Sequence, residues 1–178
     1  MARGRQTELA VLGALSVRPM TGYAVREEIR QVLGHFWSES YGQIYPTLAE
    51  LQRDGFIEAE QGTRPGSSAY ALTARGRDRL TDLLRQPHQS TPPRNALMLR
   101  LFFGRALGVD ACRALLRQAK DEAEQRLAEF QAIRAELATD PDTEHHPYWL
   151  LTISAGEHTA RAAIAWADES LTALDQLT

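Results

Sequence analysis

The sequence predicts a mainly α protein. It combines a winged helix-turn-helix module of three helices, a two-stranded wing and a fourth helix with an all-helical second half. Three observations predict it. Ile44, Leu48 and Leu51 fall at helical spacing, while Gln43, Tyr45, Thr47 and Glu50 occupy the opposite face, so one helix has a seated side and a polar side. Two short β-type runs, Phe56 to Gln61 and Ala69 to Leu72, flank a turn-rich stretch from Gly62 to Ser68, as in a hairpin. Beyond residue 108, apolar residues recur every seven positions over two long segments, the signature of helices that pack on helices.

Thr7 is the expected cap of a first helix ending near Val17, with Leu9, Leu12 and Leu15 inward, and Arg18-Pro19-Met20 breaks that helix. Thr21 is a second cap, because its hydroxyl can accept from an amide one turn on. The helix it opens carries Val25, Ile29, Val32 and Leu33 on one stripe, with Gly34 near its end. The third helix holds Pro46 close to its start, where a missing amide costs little, and an irregular first turn is expected there. Gly55 stops it, since glycine accepts the left-handed conformation that closes a last turn. After the hairpin, Thr73 caps a fourth helix with Leu80, Leu83 and Leu84 buried. Gln86-Pro87-His88-Gln89-Ser90-Thr91-Pro92-Pro93 reads as a linker, which sets the parts at residues 1–86 and 94–178.

The second half opens with a short apolar segment from Ala96 to Phe103. A long helix is expected from Val109 to Leu137, with Val109, Leu116, Ala123, Phe130 and Leu137 at heptad spacing and Cys112, Ala119 and Ile133 beside them. A last helix is expected from Pro147 to Leu174, its seam of Leu150, Ile153, Ala160, Ile164, Ala167, Leu171 and Leu174 interrupted only by Glu157. Two long helices and a short one enclose little core, so the expectation is a homodimer in which the seams face a second copy. The alternative is a monomeric hairpin folded back on residues 1–86.

Composition sets limits. Residues 1–86 hold 11 arginines and 10 acidic side chains, and residues 87–178 hold 9 basic and 13 acidic, within a chain of net charge -3. A module at +1 is weakly charged for a nucleic-acid binder, where phosphate attraction supplies much of the affinity. Clustered arginines and two copies acting together must compensate. The single cysteine, Cys112, excludes an internal disulfide, no apolar run approaches the roughly 20 residues needed to span a bilayer, and no secretion signal is seen, so the expected compartment is the cytoplasm.

At Leu9-Ala10-Val11-Leu12-Gly13, Thr21-Gly22-Tyr23, Phe36-Trp37 through Leu48, and Tyr70-Ala71-Leu72-Thr73-Ala74-Arg75-Gly76, the sequence resembles the PadR family of transcriptional regulators. The likeness covers about residues 7 to 84, and the second half resembles the longer members in layout. It implies a homodimeric winged-helix repressor on a pseudo-palindromic operator of double-stranded DNA, released by a small, often aromatic, effector. Carried over, the DNA-facing set is Thr21, Gly22 and Tyr23, then Ser40, Tyr41, Gly42, Gln43, Tyr45 and Pro46, with Arg64 in the wing. The family often places a basic residue shortly before the Tyr-x-Leu-Thr strand, whereas Ser67-Ser68-Ala69 stands here. Arg64 is then the wing's lone cation, with Arg3 and Arg5 on a flexible arm as expected helpers.

These residue types suit the task. The major groove exposes distinct donor and acceptor patterns, and a glutamine amide such as that of Gln43 can pair with adenine. Hydroxyls of Ser40, Tyr41 and Tyr45 can hold phosphate, which sets register without reading sequence. Trp37 and Phe36 are expected in the core, as large aromatics mostly are. Tyr41 suits either core or phosphate, and Tyr23 and Tyr70 suit equally a packed position with only their hydroxyls at the surface. Tyr148, Trp149 and Trp166 either pack in the helical interface or line a flat cavity for an aromatic effector. Glu144, His145, His146 and His158 match no strong metal spacing, and neither a cofactor, a metal nor a catalytic constellation is expected. Two other readings remain: a winged-helix protein-interaction module without DNA binding, and a helical enzyme using the histidines.

Overall fold

A computed structural model describes residues 2–37, 41–60, 68–87, 95–139 and 144–176. It comprises two compact units, Met1–Gln89 and Ser90–Thr178. None of its described helices is long and apolar enough to cross a membrane.

The first unit is built on α1 (Ala2–Val17), whose Val11, Leu12 and Leu15 are buried at its centre. Thr7 does not cap this helix. The helix starts five residues earlier, and Thr7 is buried inside it. Arg5 is correspondingly helical, and its guanidinium donates to Gln86 Oε1 at 3.4 Å rather than riding a free arm. Pro19 follows the helix, and Met20–Thr21 forms a short strand, β1, that pairs Met20 with Tyr70 and Thr21 with Ala69. The expected two-stranded ribbon is therefore a three-stranded antiparallel sheet in the order β1-β3-β2, with β2 at Ile57–Glu60 and β3 at Ala69–Leu72. Two residues are too short a run to show strand alternation in sequence.

Thr21 also caps α2 (Gly22–Glu28), its hydroxyl accepting from the Ala24 amide at 3.2 Å. The helix continues as a π-helical turn over Ile29–Leu33. That wider turn breaks the expected stripe: Val25 and Ile29 are buried and Leu33 half-buried, but Val32 is exposed. The following aromatics separate as well. Trp37 packs against the core, whereas Phe36 is 61% exposed, contrary to expectation.

Helix α3 (Tyr41–Arg53) seats Ile44, Leu48 and Leu51 on the core. Pro46 lies inside it rather than in its first turn. Gly55, at φ +74°, closes the helix as expected. Thr73 then ties the parts together. Its hydroxyl accepts from the Gly76 amide at 3.0 Å to cap α4 (Ala74–Leu84), and it donates to the Gly55 carbonyl at 2.9 Å. A forked ion pair from Arg79 to Glu8, at 2.8 and 3.0 Å, binds α4 to α1. Leu83 is buried and Leu80 partly so, but Leu84, one step of helical rotation further, faces solvent.

In the second unit α5 (Ala96–Phe102), capped by the Asn95 side chain, leads through Phe103 into α6 (Gly104–Leu107). Gly108, at φ +89°, turns the chain into α7 (Val109–Thr139), and α8 (His146–Asp175) returns along it. Ion pairs Arg113–Asp175, Lys120–Asp168 and Arg134–Glu157, at 2.9, 2.6 and 2.7 Å, climb one helix as they descend the other, so the two are antiparallel. The heptad residues Leu116, Ala123 and Phe130 meet Ile153, Ala160 and Ala167 in this hairpin. Phe130 lies so close to α8 that a Cβ on Gly156 would strike its ring. Glu157, the polar gap in the seam, is 7% exposed and takes Arg134 from α7 and Arg161 from its own helix at 3.2 Å.

Two outcomes are expected. Gly156→Ala gains helix propensity, but overpacking against Phe130 costs about 1–3 kcal/mol, so thermal denaturation should show a net loss, and a rise would contradict the packing. The Arg134 hydrogen bond, followed by that of Arg161, holds the Glu157 carboxyl below its ordinary value of 4.5. Its stabilising contribution is therefore complete above the carboxylate range and is lost as pH falls through its lowered pKa. Glu157→Gln should flatten that acid limb of a stability-versus-pH curve.

Candidate nucleic-acid interface

The capped start of α2 and the outer face of α3 meet through one close contact. A Cβ placed on Gly22 would stand 3.0 Å from Tyr45 Cε1 and 3.4 Å from Leu48 Cδ1. Glycine at this point lets the Tyr45 ring lie across the first turn of α2. Tyr45 stays 50% exposed, and Tyr23 beside Gly22 is 63% exposed.

On α3 itself burial alternates with helical period. Ile44, Leu48 and Leu51 face inward, and Gly42, Gln43, Tyr45, Pro46, Ala49 and Glu50 face solvent. Pro46 has no amide to give the Gly42 carbonyl one turn back. The result is a surface with one amide side chain, one phenol and an accessible backbone, positioned by a packed inner face. Of the expected set, Thr21, Gly22, Tyr23, Gly42, Gln43, Tyr45 and Pro46 fall on α3 and the start of α2. Thr21 is half-buried and engaged as a cap, so its hydroxyl is spent on Ala24. Ser40 and Arg64 lie outside the described residues, as does the side chain of Tyr41.

Electrostatics are restrained. Arg26, which belongs to no motif of the sequence, places its guanidinium carbon 5.9 Å from the Tyr23 ring centre. Its spacing of three from Tyr23 on a helix is the signal that would have found it. Arg26 also meets Glu27 at 3.8 Å, Arg30 meets Glu27 at 2.8 Å, and Arg53 meets Asp54 at 3.1 Å. The hydrogen bond from Arg30 holds the Glu27 carboxyl below its usual range.

The candidate effector residues do not converge within the chain. Tyr148 is exposed and Trp149 stacks on His145, with ring centres 5.6 Å apart. Trp166 lies 17 residues beyond Trp149 on the same helix, roughly 25 Å away at 1.5 Å per residue. It lines a separate cleft of about 600 Å³. His146 meets the edge of Trp149 at 6.2 Å, and no three His, Cys, Asp or Glu side chains gather as a metal site among the described residues.

A helix with a packed inner face and a polar outer face, set beside a capped second helix and a β-sheet, is the architecture of a winged helix-turn-helix module, which places such a helix in a DNA groove. Comparison with known proteins gives the family. Residues 11–82 match the transcriptional regulator PadR-like family, and residues 93–175 match the virulence activator alpha C-terminal family. The negative transcriptional regulator PadR of Bacillus subtilis is 26% identical over 97% of this chain and 99% of its own. The crystal structure of that PadR in complex with operator DNA is similar at TM-score 0.79 and 26% identity, covering 94% of this chain and 98% of that one. The PadR-like regulator BC1756 from Bacillus cereus shares the fold, at TM-score 0.81 and 21% identity over 97% of this chain and 99% of that one. Residues 11–82 thus form a PadR-like transcriptional-regulator domain, and the relatives that the chain resembles over nearly its whole length are described as transcriptional regulators and not as enzymes.

Thr21→Ala removes the cap of α2 and should lower stability by about 1 kcal/mol. Urea denaturation measures it, and an unchanged midpoint would show that the cap is not needed to hold α2.

Proposed function

We propose that the protein is a cytoplasmic homodimeric repressor that reads a pseudo-palindromic operator with α3 and is released by a small effector. The observation that carries this reading is the division of α3 into a buried Ile44-Leu48-Leu51 face and an exposed face of Gly42, Gln43, Tyr45 and Pro46. In this reading residues 1–86 form the DNA-binding part and 94–178 the dimerisation part. Gln43 reads a base edge. Tyr23, Tyr45 and Arg26 hold phosphate, and Ser40, Tyr41 and Arg64 extend the contact. The resemblance to a PadR solved with operator DNA supports it. Repression is supported by the description of the B. subtilis relative as a negative regulator.

The heptad residues at the centre of α7 and α8 are buried against each other, while Leu137, Leu150, Ile164, Leu171 and Leu174 of the expected seam stay half-buried and open to a second copy. A further candidate surface is α5 and α6, where Phe102 is 82% exposed and Leu99, Phe103 and Leu107 are exposed with it. A patch of this kind on a soluble chain marks an interface. A dimer that reads a pseudo-palindromic operator needs its two α3 helices in successive major grooves, on the order of 34 Å apart.

Band-shift titration with the DNA upstream of the protein's own gene should give retarded, salt-sensitive complexes, with each phosphate contact adding about 0.9 to the log–log salt slope. No retardation at low salt would favour the interaction-module reading, which the pairing of Arg26, Arg30 and Arg53 with carboxylates supports. Gln43→Ala should lose roughly 1–3 kcal/mol of discrimination at one base pair per half-site. Equal weakening on every sequence would contradict base reading. Sedimentation of a Phe102→Ser, Phe103→Ser variant should show monomer, and a persistent dimer would move the interface elsewhere.

A further inference from the structure

We propose that Gly22 is a positioning residue for DNA binding: its missing side chain is the socket that holds the Tyr45 ring, and so fixes where the Tyr45 hydroxyl meets a phosphate. This deepens the regulator reading, on which it rests, by giving Gly22 an indirect role in place of a direct contact with DNA.

The backbone supplies no reason for glycine at this position. Gly22 opens α2, and among the described residues only Gly55 and Gly108 take a positive φ. A glycine with ordinary helical dihedrals is a cost, because it loses more freedom on folding than any other residue. What the position requires is space. A Cβ there would stand 3.0 Å from Tyr45 Cε1 and 3.6 Å from its Cδ1, with Leu48 Cδ1 at 3.4 Å.

The other walls of the socket are fixed. Thr21, the preceding residue, pairs with Ala69 in the sheet, and its hydroxyl accepts from the Ala24 amide, so the start of α2 cannot back away. Leu48 is 1% exposed and packed in the core. Tyr45, half exposed, is the neighbour with room to move. Pro46 restrains the backbone of the residue before it. A push on the ring is therefore taken up by side-chain rotation away from α2. Tyr23 adjoins Gly22 and lies under the Arg26 guanidinium. Holding Tyr45 against the start of α2 keeps its hydroxyl in step with that pair, so groups from two helices meet one phosphate register. A phenol on phosphate sets register and carries no sequence information, which separates this role from that of Gln43.

The test is a double-mutant cycle on the full chain with two duplexes, the DNA upstream of the protein's own gene and a scrambled sequence of equal length. Gly22→Ala should weaken binding to both about tenfold, the size of one hydrogen bond to a charged group, while its urea midpoint is no lower than the parent's. Tyr45→Phe should match that loss, and in a Tyr45→Ala background Gly22→Ala should cost nothing further. An equal cost in the two backgrounds overturns the proposal and returns Gly22 to direct contact with DNA. So does an unchanged affinity in Gly22→Ala. Should Gly22→Ala destabilise the chain, Tyr45→Ala should restore it, since the ring is what the methyl strikes; strain that persists without the ring overturns the proposal. In the unbound chain a nuclear Overhauser contact between Gly22 Hα and the Tyr45 ring is expected, and its absence overturns the socket without reference to DNA. Retardation without coupling between the two positions defeats this inference alone. No retardation of either duplex by the parent chain defeats the regulator reading and this inference with it.

Discussion

The seating of α3 on α1 is the constraint on which the first unit depends. Ile44, Leu48 and Leu51 enter a core with Val11, Leu12 and Leu15, and burial of side chains of this size is worth about 1.5–3 kcal/mol each. Once those three face inward, the 100° step of a helix obliges Gly42, Gln43, Tyr45 and Pro46 to face out. Neighbouring devices preserve that pose. Gly55 ends the helix, Thr73 grips the Gly55 carbonyl while capping α4, and Arg79 clasps Glu8. The Gly22–Tyr45 contact adds α2 to the same surface.

The second unit solves a different problem. Two helices of 31 and 30 residues bury narrow, small-residue seams, and close approach depends on Ala123, Gly156, Ala160 and Ala167. Such a seam has little shape to fix its register. Glu157 with two arginines, and ion pairs at Lys120 and Arg113, mark one alignment among several that the apolar residues would allow. The apolar side chains of Leu99, Phe102, Phe103 and Leu107 on and between α5 and α6 stay outside that hairpin's seam and are exposed.

Much of this was legible in the sequence where local chemistry is decisive. Thr21 and Thr73 read as caps because a hydroxyl before an apolar-periodic run has few other uses, and both cap. Gly55 read as a stop, and the strand at Ala69–Leu72 and the two long helices fell where periodicity put them. Thr7 misled because the chain before it, Ala2 to Gln6, carries no apolar stripe to betray a helix. Val32 misled because a π-helical turn shifts the phase of a stripe that assumes 3.6 residues per turn, and Phe36 because its expected burial rested on residue type alone. The heptads gave the correct helices, and Leu116, Ala123 and Phe130 of α7 pack on α8 of the same chain, since spacing shows that a seam is covered and not by which chain. Tyr148, Trp149 and Trp166 were grouped by residue type, and only three-dimensional placement separates Trp166 from the other two. Arg26 was passed over because its value lies in a neighbour, Tyr23, and not in any motif.

The central claim, that the exposed face of α3 beside the start of α2 is the surface that meets DNA, is tested most directly by amide chemical-shift mapping with the duplex upstream of the protein's own gene. The account predicts the largest changes at Gly22, Tyr23, Gly42, Gln43 and Tyr45. Changes that bypass these amides and gather on α7 and α8, or none at saturating duplex, would contradict it.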